Sequence, residues 1–151
     1  MEPLQGYSLE QSVLKSDDRC MSRLIDPSGN AKIDVSGCIL EAIYQVKGRF
    51  LLLTTDNSPY EETLHLCLFD VNYRILDQAD IYNAYTSGIV ENISIEDNQT
   101  LRFQFLGQQT FRVRIESQPR FQAGRLLPSG PVHYPTRGLK SYLSISSVKQ
   151  P

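Results

Sequence analysis

Apolar and polar residues alternate with a period of two through the second half of the chain. Ile89, Glu91, Ile93 and Ile95 alternate with Val90, Asn92, Ser94 and Glu96. Leu101, Phe103 and Phe105 alternate with Arg102 and Gln104, and Phe111, Val113 and Ile115 with Arg112 and Arg114. Successive side chains of a strand point to opposite faces, so this spacing predicts strands with one buried and one wet face. Asp97-Asn98 and Gly107-Gln108 separate the three runs, and such residues tolerate the positive φ of tight hairpins. The segment therefore predicts an antiparallel meander.

The centre has a different pattern. Residues 38–46 are rich in strand formers, Lys47-Gly48 suits a tight turn, and residues 49–55 are almost continuously apolar. A run that short, flanked by turns, predicts a strand covered on both faces. Asp56-Asn57-Ser58-Pro59 ends it. Residues 63–70 place Leu64, Leu66 and Leu68 on one face and His65, Cys67 and Phe69 on the other. Asp70 to Tyr73 reads as a hairpin turn, and residues 74–81 run back antiparallel. Residues 82–88 read as a loop.

The ends are less patterned. Residues 1–30 read as a weakly structured segment, with Leu9, Val13 and Leu14 as one short helical turn and Asp26 to Asn30 as a β-turn. Residues 119–138 carry four prolines and three glycines. That composition excludes a helix or a central strand and predicts a long crossing loop or a tail. Residues 140–148 alternate again and predict a last strand. About seven or eight strands at this spacing predict an all-β domain over residues 31–151. It is expected to be an antiparallel β-sandwich or closed β-barrel, with a meander core and a Pro/Gly-rich C-terminal connection.

Charge sharpens this picture by its distribution. The 151 residues carry a formal net charge of -2. Residues 56–97 hold nine acids against one base, and residues 119–151 hold five bases and no acid. The acidic block repels phosphates, which argues against a nucleic-acid surface there. It either receives a basic protein partner or is covered by the chain's own basic tail. No apolar run is long enough for a membrane helix, and residues 1–18 lack the pattern of a secretory leader. Cys20, Cys38 and Cys67 are too few and too scattered for a disulfide scaffold or a zinc site. Free thiols and a reducing cytosol are expected. The sequons at Asn92 and Asn98 then have no role in glycosylation.

Candidate chemistry is sparse. No Gly-x-Ser-x-Gly elbow, phosphate-binding loop or dinucleotide motif organises the Ser, His and Asp residues, and no cofactor is implied. His65 and Cys67 share a strand face but lack further metal ligands. The oxygen-rich stretch from Asp56 to Glu62 lacks the EF-hand spacing. Arg102, Arg112 and Arg114 form a basic stripe suited to an anion, or to ion pairs with Glu91 and Glu96. Tyrosine is enriched at interface cores, which singles out Tyr60, Tyr82 and Tyr85 in loops. With Glu61, Glu62 and Asp80 they form the expected partner surface. The leading expectation is a small cytosolic, bacterial, non-catalytic binding protein of the immunity or accessory kind. It would present an acidic, tyrosine-bearing face to a basic partner, with no nucleic acid or membrane involved. The alternatives are a β-barrel carrier whose cavity is lined by Phe103, Phe105 and Phe111, and a hydrolase assembled around His133, or His65 with Cys67.

Overall fold

The computed structural model describes residues 1–12, 20–125, 130–136 and 138–148. The described residues form thirteen strands and one 3-10 turn, Ala123–Arg125. The strands are β1 (Glu2–Pro3), β2 (Ser8–Gln11), β3 (Met21–Ile25), β4 (Ala31–Ser36), β5 (Ile39–Val46), β6 (Arg49–Thr55) and β7 (Leu64–Asp70). They continue with β8 (Ile75–Ile81), β9 (Glu91–Asp97), β10 (Thr100–Phe105), β11 (Gln109–Phe121), β12 (Val132–His133) and β13 (Lys140–Val148).

Three antiparallel sheets result. A six-stranded sheet has the order β1-β5-β6-β7-β8-β12, a four-stranded sheet β13-β11-β10-β9, and a three-stranded sheet β2-β3-β4. No sheet closes on itself, so the fold is sandwich-like and the barrel is excluded. The six-stranded sheet is the middle layer. On one face Leu51, Leu53, Leu64, Leu66, Leu68 and Ile81 pack against Leu101, Phe103, Phe105, Phe111, Val113 and Leu143 of the four-stranded sheet. On the other, Leu52, Cys67 and Phe69 pack against Leu24 and Val35 of the three-stranded sheet. The apolar run in β6 is thus buried on both sides, as its pattern implies.

The barrel cavity expected around Phe103, Phe105 and Phe111 is absent, because these rings are themselves the fill of the sandwich core. Phe103 and Phe111 are cross-strand partners whose ring centroids lie 5.7 Å apart. Burying each such ring contributes roughly 1.5–3 kcal/mol.

Residues 1–30 depart from expectation by contributing β1, β2 and β3. Leu9 of the expected helical turn lies in β2, while Val13 and Leu14 fall outside the described residues. Cys20 and Cys38 form a disulfide with Cα atoms 5.6 Å apart, within the usual range for a bridge. It joins the base of the β3–β4 hairpin to the start of β5. This corrects the expectation of three free thiols and removes the ground for a reducing compartment. Cys67 is free and buried. No helix among the described residues is long and apolar enough to cross a membrane.

Two arginines tie the layers together at their edges. Arg49 of β6 donates to the carbonyls of Glu116 and Ser117 in β11, at 2.8 and 3.0 Å. Asp77 of β8 accepts from the backbone N–H groups of Tyr142 and Leu143, at 2.8 and 3.0 Å, and from the Ser141 hydroxyl. Arg125 completes the clasp, 3.2 Å from Asp77, and also donates to the carbonyls of Thr136 and Gly138. Its guanidinium lies 4.6 Å from the Tyr134 ring centroid. These bonds hold the described parts of the Pro/Gly-rich connection against the sandwich edge. β11 runs through Pro119, beyond its expected end, because a register irregularity between Ile115 and Arg120 relieves that stretch of regular pairing.

Candidate functional site

The loops after β6, after β8 and after β10 gather at one end of the sandwich. Asn57, Ser58, Pro59 and Glu62 from the first, Ser87, Gly88 and Ile89 from the second, Gly107 and Gln108 from the third, and Glu91 at the start of β9 line a cleft of about 720 Å³. Tyr60, Tyr85 and Ile89 stand out from these loops, 85%, 91% and 75% exposed. Large side chains so bare are unusual when clustered, and such clusters mark interaction surfaces.

The loops are well fastened. The Glu62 carboxylate accepts from the backbone N–H groups of Asp56, Ser58 and Thr63, at 2.8, 3.1 and 3.1 Å. The Glu62 N–H donates to the Thr86 carbonyl at 3.1 Å, crossing to the second loop. A second crossing runs from the Tyr85 N–H to Glu61 Oε2 at 3.3 Å. Gly88 fits closely over the core, since a Cβ there would lie 2.6 Å from the Phe105 ring. Tyr85 has φ 56°, a region that costs a non-glycine residue roughly 1–2 kcal/mol. A strained residue carrying an exposed aromatic ring points to selection for something other than stability.

The six expected surface residues divide. Tyr60, Glu61 and Tyr85 are brought together. Glu62 is removed from the surface set: it is only 8% exposed and serves the loop backbone. Tyr82 stacks on His133 of β12, with centroids 4.1 Å apart. Asp80 is also engaged internally, by His65. Ile89, Glu91 and the cleft itself escape a sequence reading. Glu91 falls on the Ile89, Ile93 and Ile95 side of the alternation, and the irregular β9–β10 register and the convergence of the loops bring it to the cleft.

His65 lies between two carboxylates. Its Nδ1 is 2.7 Å from Asp80 Oδ1, and its Nε2 is 2.7 Å from Asp56 Oδ1. Burial opposes the ring's positive charge, but the hydrogen bonds and charges of Asp56 and Asp80 outweigh it and raise the pKa to about 9. The ring is therefore an imidazolium donating from both nitrogens at neutral pH. It has no free nitrogen with which to act as a base. Burial pushes the Cys67 thiol up to about 12, which keeps it from being a nucleophile. The hydrolase expected around His65 and Cys67 therefore lacks its base and its thiolate. His133 stacks on the Tyr82 ring. Among the described residues no group of three or more His, Cys, Asp or Glu is placed to hold a metal ion.

Most of the acidic block is balanced internally. Arg112 binds Glu96 through two nitrogens, at 2.8 and 2.5 Å. Arg114 approaches Asp97 and Glu116 at 3.9 and 3.7 Å. Ion pairing thus takes up two of the three stripe arginines. Asp70 faces Arg74, and Asp77 faces Arg125 of the basic tail. Among the described residues Glu61 and Glu91 form no ion pair, and both lie at the loop end. Among the described residues, the tail meets the β8 edge through Arg125 and β12, and none of its residues lines the loop-end cleft.

No protein-family model, no curated protein and no solved structure matches this chain.

Proposed function

We propose that this protein is a non-catalytic binding module that docks a basic protein partner on the loop end of its sandwich. The observation that carries the proposal is the exposure of Tyr60 and Tyr85 on two loops cross-tied through Glu61 and Glu62. Aromatic anchors that are already ordered give up little conformational entropy on binding. Glu61 and Glu91, exposed acids of this end with no ion pair among the described residues, set the sign of the partner's surface. Occlusion of the partner's own site is the mechanism that suits a small rigid module of this kind.

The test begins with affinity capture from the source cells, comparing the wild type with a Tyr60→Ala/Tyr85→Ala variant. A basic protein held by the wild type and lost by the variant, with circular dichroism unchanged, supports the proposal. Equal capture by both proteins overturns it. With the partner in hand, Glu61→Lys should slow association at low salt and flatten the salt dependence of the on-rate. Glu62 and Asp80 are unsuitable for charge reversal because their carboxylates hold the fold.

A further inference from the structure

We propose that the cleft between the three loops receives an arginine side chain of the same partner that the loop end is proposed to bind. Loop residues 56–63, 82–90 and 106–108 include Asp56, Glu61 and Glu62 and no base. Glu62 and Glu91 line the cleft, and among the described residues no cationic side chain does. Among the described residues, the bonds to the Glu62 carboxylate come from backbone N–H groups and no cationic side chain pairs with it. Glu91 differs from the other acids of its strand. Glu96 and Asp97 are met by Arg112 and Arg114 of β11, whereas Glu91 has no such partner among the described residues.

The remaining lining suits a guanidinium better than a compact ammonium. A guanidinium offers five N–H donors in a fixed plane, with no acceptor. The cleft is lined by acceptor-bearing residues, the exposed acid Glu91 with Asn57, Gln108, Ser58 and Ser87, and by Glu62, whose carboxylate also holds three backbone N–H groups. Pro59 and Ile89 provide apolar wall for the methylene stem. The walls are set before binding, because Gly88 lies against Phe105 and the hairpin residues Leu106, Gly107 and Gln108 all hold positive φ. The volume, about 720 Å³, also leaves room for the backbone that carries the arginine.

The test is an NMR titration of the isotope-labelled protein with N-acetyl-arginine methylamide, with the matching citrulline compound as the neutral control. The expected result is saturable shifts of the Ser87, Gly88, Gly107 and Gln108 amides with arginine and none with citrulline. Glu91→Gln, an exposed change at a strand start, should weaken the arginine effect by roughly tenfold. Equal response to citrulline, shifts confined to other faces, or no effect of Glu91→Gln would overturn the assignment. Failure here, with partner binding still abolished by Tyr60→Ala/Tyr85→Ala, removes the arginine site and leaves the docking surface standing. Saturable arginine binding, with partner capture indifferent to the tyrosines, does the reverse.

Discussion

Replacing Tyr85 by glycine separates a binding residue from a structural one. Tyr85 is 91% exposed, so removing its ring forfeits almost no buried apolar surface. Its one described hydrogen bond to the neighbouring loop uses the backbone N–H, which glycine keeps. At φ 56° the tyrosine backbone is strained by roughly 1–2 kcal/mol, and glycine is not. The greater freedom of glycine in the unfolded chain returns about 0.5–1 kcal/mol of that gain. Tyr85→Gly should therefore leave stability unchanged or raise it by about 1 kcal/mol, a Tm rise of roughly 2–4 °C at this size. Tyr85→Ala keeps the strain and should fall within about 0.5 kcal/mol of the wild type. Both should weaken partner binding, by about thirtyfold if the ring anchors an interface at about 2 kcal/mol. Urea unfolding monitored by circular dichroism gives the stability, and surface plasmon resonance with the captured partner gives the affinity. A loss of more than about 1 kcal/mol on Tyr85→Gly would show that the ring supports the fold, and the reasoning from strain to function would fail.

The other expectations concern the framework that holds this end in place. Reducing the Cys20–Cys38 bridge, or Cys20→Ala/Cys38→Ala, should lower stability by about 3 kcal/mol in the chain-entropy account of a bridge spanning 18 residues; the readout is denaturation with and without reductant. Asp77→Ala strands the Arg125 guanidinium, whose side chain is 3% exposed, and should cost about 3–5 kcal/mol by the same measurement. His65 has its pKa raised from 6.5 to about 9, so its contribution is complete below pH 6.5 and is lost as pH rises through 9. That contribution is at most about 3 kcal/mol, and urea midpoints at about pH 6 and pH 9.5 should differ accordingly, with the difference removed in His65→Gln.

How much of this was legible follows from the range of the interactions. β6 was recognisable as doubly covered because its own residues lack a polar face. The Lys47-Gly48 turn was recognisable from two residues, and both adopt the positive φ that such a turn requires. His65 shows the opposite case. The β7–β8 pairing starts at Phe69 opposite Ile75 and shifts by one residue, so that Leu68 faces Asp77 and His65 faces Asp80. Without the irregularity, the register would set His65 opposite Ala79. A single extra residue in a strand flips every later side chain to the other face, and no local pattern announces it. β4 does alternate, Ala31, Ile33 and Val35 against Lys32, Asp34 and Ser36, but its apolar side is short and only Val35 is fully buried, because this strand covers the sheet from outside.

The sequence by itself determined the meander, its turns and the apolar faces, because period-two alternation and turn chemistry act over a few residues. It also displayed the segregation of acids from bases. Tertiary structure decided which charges remain unpaired. Arg125 reaches Asp77 across 48 positions, and Cys20 reaches Cys38 through the closure of a hairpin. The convergence of three loops, separated in sequence by whole strands, leaves Glu61 and Glu91 open beside two bare tyrosines. Those outcomes depend on sheet register and layer stacking, which are settled by packing over the whole core and written in no single segment.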